Sequence, residues 1–161
     1  MDASASIVIA VENGTSEVYI TAYISLVRPH LEYASATRDP YLVGDCKQLE
    51  KVQRRAARFV KRDYKSTRSV SSLISQLGWQ TLSDRRRNSR LSLMYKSLHG
   101  LAGISSSLFH HPSKTTRSAD DDTFCVLSSR IDHYKYSYPR KTIVNWNAVP
   151  ASVKSRHSNF I

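Results

Sequence analysis

The stretch from Leu49 to Tyr64 reads LEKVQRRAARFVKRDY and predicts the fold class of the surrounding chain. An α-helix advances by about 100° per residue, so a helix through this stretch sorts its side chains onto two faces. The apolar face, which we expect to be buried, carries Leu49, Val52, Ala56, Phe59 and Val60. The opposite face carries Lys47, Lys51, Arg54, Arg55, Arg58 and Arg62 within an arc of roughly 100°.

The basic face of this predicted helix has one nearby carboxylate, Glu50. A solvated helix commonly alternates its charges because Glu–Lys pairs four residues apart stabilise it. Apart from this one carboxylate, four residues before Arg54, the cations lack such partners within the helix, which favours a surface that binds an external anion. The alternative, an ordinary solvated face that is basic, stays open.

Composition favours a globular, basic protein. The chain has 161 residues, of which 40% are apolar and 23% charged, so it is long enough for one domain with a core and is not of the disordered class. Its 24 Lys and Arg against 13 Asp and Glu give a net charge of +11, which is typical of proteins that bind nucleic acid or an anionic membrane surface.

The two cysteines and the absence of targeting features predict an intracellular protein, nuclear or cytoplasmic. Cys46 and Cys125 are too few for a disulfide framework and are expected to be free thiols. No window approaches the ~20 apolar residues that cross a bilayer, so no membrane is expected as a partner. The N-terminal MDASASIVIAVENG has no basic region of the kind that opens a signal peptide.

Periodicity and punctuation residues predict a mainly α-helical protein, a bundle of about four to five helices with an irregular, aromatic-rich C-terminal segment. A first helix over 17–33 is interrupted by Pro29, and the basic helix follows with Asp45 as its N-cap. A short helix ends at Gly78, and a longer one runs from a capping box at Thr81 to a stop at Gly100. The core stripe of the longer helix comprises Leu91, Met94, Tyr95 and Leu98.

The predicted organisation has four parts. These are a frayed lead-in (1–16), a basic helical domain (17–104), a polar linker (105–124) and an aromatic, basic segment that packs on the helices (125–161). In the last part, we expect the tyrosines in a short extended stretch, followed by one turn of helix from Ile143 to Ala148.

Two further features are candidates for nucleic-acid contact. Arg85, Arg86 and Arg90 lie in the first turns of a predicted helix, where cations oppose the helix dipole and an external anion would relieve them. The neighbouring Arg87 projects toward the apolar side. Tyr134 and Tyr136 alternate with basic residues and could stack on bases. The alternative is that these tyrosines share one face that packs against the helices.

Catalytic chemistry is not predicted. Asp120, Asp121 and Asp122 lie in a polar stretch, whereas a two-metal site needs carboxylates on rigid elements. His110 and His111 have no partners at the spacing of zinc ligands. The nucleophile-elbow, P-loop and dinucleotide-binding motifs are absent from the sequence. We therefore predict no catalytic residue, no metal ligand and no cofactor, and a protein that is not an enzyme.

Six segments, taken in order, resemble the C-terminal part of reverse transcriptases encoded by LINE-type, non-LTR retrotransposons of the jockey group. They are AYISLVRPHLEYAS (22–35), LEKVQRRAARFV (49–60), LGWQTLSDRR (77–86), RLSLMYKSLHGL (90–101), YKYSYPRKTI (134–143) and NWNAVP (145–150). The resemblance implies a thumb-like helical region, downstream of the palm, that grips the template–primer backbone of an RNA-directed DNA polymerase.

The chain also departs from that family. It contains neither the catalytic carboxylates of the palm nor the endonuclease. Arg38 stands where the family has Trp, and the family's two Phe are missing before Pro139.

We therefore expect a non-catalytic fragment that binds the backbone of RNA, DNA or an RNA–DNA hybrid. The alternatives are a helical module that docks on the missing palm or another chain, and a retroelement remnant without a function. The expected phosphate contacts are Lys47, Lys51, Arg54, Arg55, Arg58, Arg62, Arg85, Arg86 and Arg90.

Overall fold

The computed structural model describes residues 14–36, 39–65, 67–112, 123–128 and 130–154. Helices predominate in these ranges and β-strands are absent from them, which confirms the mainly α-helical prediction. Predicted features within 1–13, 113–122 and 155–161, including Asp120 to Asp122, lie outside the described residues.

The first predicted helix is divided into three pieces. Helix α1 is Ser16–Ala22, a π-helical turn follows at Tyr23–Val27, and helix α2 is Arg28–Glu32. Pro29 lies in the first turn of α2, where its missing N–H would break the hydrogen-bond pattern of a continuous helix. The helix is not ended at Pro29, because the helical backbone continues through it to Glu32, and the change in hydrogen-bond pattern is the π-helical turn directly before α2.

Three longer elements follow, and their ends lie close to the predicted ones. They are α3 (Val43–Lys61), α4 (Val70–Gln76) and α5 (Leu82–Leu98). Gly78 and Gly100, two residues after the ends of α4 and α5, have φ of +65° and +69°, the left-handed conformation that ends helices. The Thr81 hydroxyl accepts a hydrogen bond from the Asp84 amide at 3.1 Å, one half of the predicted capping box, and donates to the Asp84 carboxylate at 2.8 Å. The predicted N-cap Asp45 is wrong, because α3 begins earlier and Asp45 lies in its first turn.

The C-terminal part is more helical than its sequence suggests. A 3₁₀ turn at Ser106–Leu108 is followed by α6 (Asp132–Lys135), α7 (Tyr138–Asn147) and α8 (Ala151–Lys154). The prediction of an extended tyrosine stretch was therefore wrong. Pro139 lies in the first turn of α7, where a missing N–H costs no intrahelical hydrogen bond, so proline starts the helix here.

The described residues form two compact units. The first contains those up to Ser35 and from Pro40 to Arg85, and the second contains Ala36–Asp39 and those from Arg86 onward. The predicted basic domain, 17–104, thus includes residues of both units. The predicted linker, 105–124, contributes Phe109 and Phe124 to the core of the second unit.

The buried face of α3 differs from the predicted one. Gln53, Ala57 and Val60 are at most 1% exposed, whereas Val52 and Phe59 are 37% and 43% exposed. At about 100° per residue, this places the buried face roughly 70° from the predicted face. The reason is tertiary, because the Gln53 amide donates to the Gln80 carbonyl at 2.9 Å and so satisfies one polar group in the interior.

The core of the second unit follows the predicted stripe of α5. Met94, Phe109, Phe124, Ile143 and Trp146 form the buried cluster. The remaining stripe residues, together with the α7 tyrosine, pack against this cluster, namely Leu91, Tyr95, Leu98 and Tyr138. Asn147 ties the segment 123–128 to α7, because its side chain donates to the Phe124 carbonyl at 2.8 Å and accepts from the Phe124 amide at 3.1 Å.

A buried tyrosine in the first unit leads to a stability prediction. Tyr23 is 4% exposed and stacks on Trp79 with ring centroids 4.5 Å apart. Its hydroxyl has no hydrogen-bond partner among the described residues, and burial raises the pKa of Tyr23 to about 12. Replacing Tyr23 with phenylalanine removes this unpaired group and is expected to raise the free energy of unfolding by about 1 kcal/mol at neutral pH.

The same substitution should change how the free energy of unfolding depends on pH above pH 10. Above pH 10 the unfolded tyrosine loses its proton while the folded one keeps it, so the free energy of unfolding of the wild type falls between pH 10 and about 12. Urea unfolding at several pH values should show a smaller alkaline loss for Tyr23→Phe than for wild type. Tyr33→Phe is the control, because Tyr33 is 78% exposed. Equal behaviour of the two variants would contradict the prediction.

Candidate nucleic-acid interface

Five cations lie along one exposed face of α3, which we call the α3 row. They are Lys47, Lys51, Arg54, Arg55 and Arg58, all exposed except the half-buried Arg58. The Arg58 guanidinium donates to the Lys65 carbonyl at 3.1 Å and the Arg54 guanidinium to the Ser71 hydroxyl at 3.5 Å. Neither partner is charged, so the row keeps its full positive charge.

Two carboxylates close to the α3 row in sequence, Glu50 and Asp63, have hydrogen-bond partners outside the row. Glu50 accepts a hydrogen bond from the Ser83 amide at 2.9 Å, which holds the start of α5. Asp63 pairs with Arg68 at 2.7 Å, and hydrogen bonds from the Arg68 side chain and the Lys65 amide lower the pKa of Asp63. From Lys47 to Arg68 the sequence has nine Lys or Arg and two Asp or Glu. Both of these acids bond to groups outside the α3 row.

The sequence analysis expected Arg62 to continue the basic face of α3, and the structure places it outside the helix. It lies one residue past α3 with φ of +49°, a left-handed conformation that disfavours residues with a Cβ. Its guanidinium donates to the Tyr19 hydroxyl at 3.2 Å and lies 5.7 Å from the centre of that ring. The residue is still exposed, but its side chain is held by α1.

Arg85 is engaged by an acidic partner. Its guanidinium forms two hydrogen bonds with the Glu32 carboxylate, one of them between Nη2 and Oε2 at 3.0 Å. Hydrogen bonding to Glu32 raises the pKa of Arg85. This internal pair supplies the anion that the sequence analysis assigned to an external phosphate.

Arg86 and Arg90 are the clearest correction to the predicted site. They are 3% and 4% exposed, and both donate to the Asp39 carboxylate, Arg86 through Nε at 2.9 Å. Lys141 donates to the same carboxylate from α7. Burial lowers the pKa of Arg90, and Asp39 opposes that shift. The two arginines are therefore buried in the second unit, where they pair with Asp39, and do not present a surface to phosphate.

The two candidate stacking tyrosines lie in and just after α6. Tyr134 is 41% exposed, and Tyr136 is half-buried with the Lys135 ammonium 5.2 Å from its ring centre. The neighbouring Tyr138 packs against the core of the second unit, and burial raises its pKa to about 12. The three tyrosines thus do not share one face, and neither the stacking nor the packing interpretation describes all of them.

The sequence analysis missed several residues near these groups. Lys61, in the last turn of α3, and Lys65, in the following loop, are also exposed. Lys65 lies beyond the helix, so helical periodicity could not place it beside Arg58. The sequence analysis gave Asp39 no role, because no local pattern indicates that one carboxylate is shared by three cations.

Other kinds of site receive no support from the described residues. Within these ranges, His, Cys, Asp and Glu side chains do not gather in groups of three that could hold a metal ion. Helices of the length and apolarity needed to span a membrane are absent from the same ranges. Cys46 and Cys125 are free thiols.

Comparisons with known proteins leave the resemblance noted above as an expectation. The chain matches no protein-family model, and no curated protein or solved structure shows significant similarity to it.

Proposed function

We propose that this chain binds the phosphate backbone of nucleic acid through the α3 row and performs no catalysis. The observation that supports the proposal is a row of five cations on one exposed helix face, with Glu50 and Asp63 bonded elsewhere. Phosphate contacts position a protein without reading sequence, so binding is independent of base sequence. We expect this surface to bind the backbones of RNA, DNA and RNA–DNA hybrids alike.

The length of the row agrees with a backbone contact. Lys47 and Arg58 are eleven residues apart, which corresponds to about 16 Å along a helix. One strand of a duplex presents about five phosphates over the same axial length, at about 3.4 Å each. The five cations can therefore each face a phosphate if helix and duplex align.

The sequence resemblance supports an origin for this surface. We propose that the chain derives from the thumb-like region of a non-LTR retrotransposon reverse transcriptase, in which helices hold the template–primer backbone. The mainly helical fold agrees with such a region, and the six ordered segments of sequence carry the proposal.

The experiment that tests backbone binding is a salt series on a short RNA–DNA duplex. If about five phosphates are neutralised, the logarithm of the association constant should fall with the logarithm of salt at a slope of about −3.5 to −4.5. Fluorescence anisotropy of labelled duplex measures this slope directly. A slope near zero would contradict the proposal.

A charge-reversal variant assigns the binding to the row. Lys51→Glu/Arg54→Glu/Arg55→Glu should flatten the salt slope by about 3, because each lost phosphate contact changes it by about 1. Arg58 is left intact because it bonds the Lys65 carbonyl. The matched control, with the same change in net charge at exposed positions off α3, is Arg87→Glu/Lys96→Glu/Arg130→Glu.

The two variants separate a local surface from a general charge effect. The control should keep most of the wild-type slope, and circular dichroism should show equal helicity for all three proteins. If the control flattens the slope as much as the row variant does, net charge alone explains binding, and the proposed interface is wrong.

A further inference from the structure

The second unit contains a groove whose volume is about 760 Å³. One wall is the face of α5 from Arg87 to Lys96, and the other runs from the end of α7 into α8. A volume of this size is typical of sites that bury a ligand. The α3 row contributes nothing to it.

The groove is lined mainly by apolar side chains. Leu91 and Tyr95 are half-buried and Trp146 is 7% exposed, whereas Val153 and Leu101 are 52% and 69% exposed. Exposed apolar side chains that line one concave surface indicate a surface that a partner covers.

Every charged residue that lines the groove is a cation. Arg87 and Lys96 lie at the two ends of the α5 wall, and Lys154 lies on the opposite wall. Lys154 is 8% exposed, and its ammonium lies 5.8 Å from the Trp146 ring centre. Among the described residues none of these three cations has a carboxylate partner, so the groove favours an occupant that brings acidic groups.

The length of the groove identifies the shape of that occupant. The α5 wall from Arg87 to Lys96 is about 14 Å long, or about two and a half helical turns. A partner helix that inserts apolar residues at positions i, i+4 and i+7 spans about 10 Å and fits between the two terminal cations. A small anion would use one end of such a groove and leave its apolar centre exposed.

We propose that this groove binds an acidic amphipathic helix of a partner protein. The apolar residues of the partner helix pack on Leu91, Tyr95 and Trp146, and its flanking carboxylates pair with Arg87, Lys96 and Lys154. The proposal does not depend on nucleic-acid binding, because it uses different residues.

The probe is a synthetic, fluorescein-labelled peptide of on the order of 15 residues, the length at which isolated helices begin to form. It carries leucine at positions i, i+4 and i+7 and glutamate on the flanks. Two control peptides replace the leucines by alanine or the glutamates by lysine. The full chain should bind the acidic, leucine-containing peptide and neither control, as measured by anisotropy.

Two pairs of protein variants locate the contact. Val153→Asp should weaken binding by about tenfold or more, as expected for an anchor position. Val144→Asp should leave binding within about twofold of wild type, because Val144 is similarly exposed, at 47%, but does not line the groove. Arg87→Glu should weaken binding, and Arg130→Glu should not.

Three results would overturn the proposal. Equal binding of the alanine peptide would show attraction to net charge without use of the groove. Equal loss in Val153→Asp and Val144→Asp would place the contact elsewhere. Self-association that Val153→Asp abolishes, without peptide binding, would assign the groove to a second copy of the chain. A lost salt slope in Lys51→Glu/Arg54→Glu/Arg55→Glu with intact peptide binding would support two separate sites.

Discussion

Replacing Asp39 with alanine is expected to lower the free energy of unfolding by about 3–5 kcal/mol, the cost of leaving buried charges without their partner. Asp39 accepts hydrogen bonds from Arg86, Arg90 and Lys141, and the two arginines are almost fully buried. The Arg86 Nη1 and Arg90 Nε atoms are already buried without a partner among the described residues. Removal of the carboxylate leaves three like charges facing one another.

Urea unfolding followed by circular dichroism measures this effect. Asp132→Ala is the control, because it removes the same charge from an exposed position in the first turn of α6. A loss in Asp39→Ala that does not exceed that of Asp132→Ala would contradict the prediction.

A combined variant separates charge from packing at this cluster. Asp39→Leu/Arg86→Met/Arg90→Leu replaces the buried ions with apolar side chains and should be far more stable than Asp39→Leu alone, because no buried charge is left unpaired. Equal stability of the two variants would indicate that the loop at Asp39 matters for its shape and not for its charge.

The second large effect is expected in the core of the second unit. Met94 is fully buried among Phe109, Phe124, Ile143 and Trp146. Met94→Ala should lower the free energy of unfolding by about 2–5 kcal/mol, since it loses buried apolar area and leaves a cavity. Phe124 is part of this cluster, so the packing of the segment 123–128 is expected to loosen.

Thermal and urea unfolding of Met94→Ala test this prediction, and Leu101→Ala is the control. Leu101 is 69% exposed, so its truncation should change stability by less than about 0.5 kcal/mol. A loss below about 1 kcal/mol for Met94→Ala would show that the core relaxes around the smaller side chain.

Local features of the fold could be predicted because their causes are local. The π-helical turn lies directly before the helix that begins around Pro29, and Gly78 and Gly100 adopt the left-handed conformation that ends helices. The Thr81–Asp84 capping box and the apolar stripe of α5 depend on residues three or four positions apart. Sequence spacing alone is sufficient for such features.

The buried face of α3 could not be predicted in the same way. Hydrophobicity assigned Val52 and Phe59 to the interior and Gln53 to the surface, and the structure reverses both assignments. The Gln53 Nε2 group is paired inside with the Gln80 carbonyl, which is 27 residues away in the chain, while the Gln53 Oε1 atom is buried without a partner among the described residues. A partner at that distance leaves no periodic signal in the sequence.

The features of the candidate site also fall into two groups, those set by local sequence and those set by tertiary contacts. The sequence by itself determined the mainly helical class, the net charge of +11 and the alignment of Lys47, Lys51, Arg54 and Arg55 on one helix face, because composition and helical geometry suffice for these. Tertiary structure alone decided that Arg85 pairs with Glu32 and that Arg86 and Arg90 are buried on Asp39. The physical reason is that a cation's availability to phosphate depends on which carboxylate the fold brings within hydrogen-bond distance, and each of these carboxylates lies more than forty residues away in the chain.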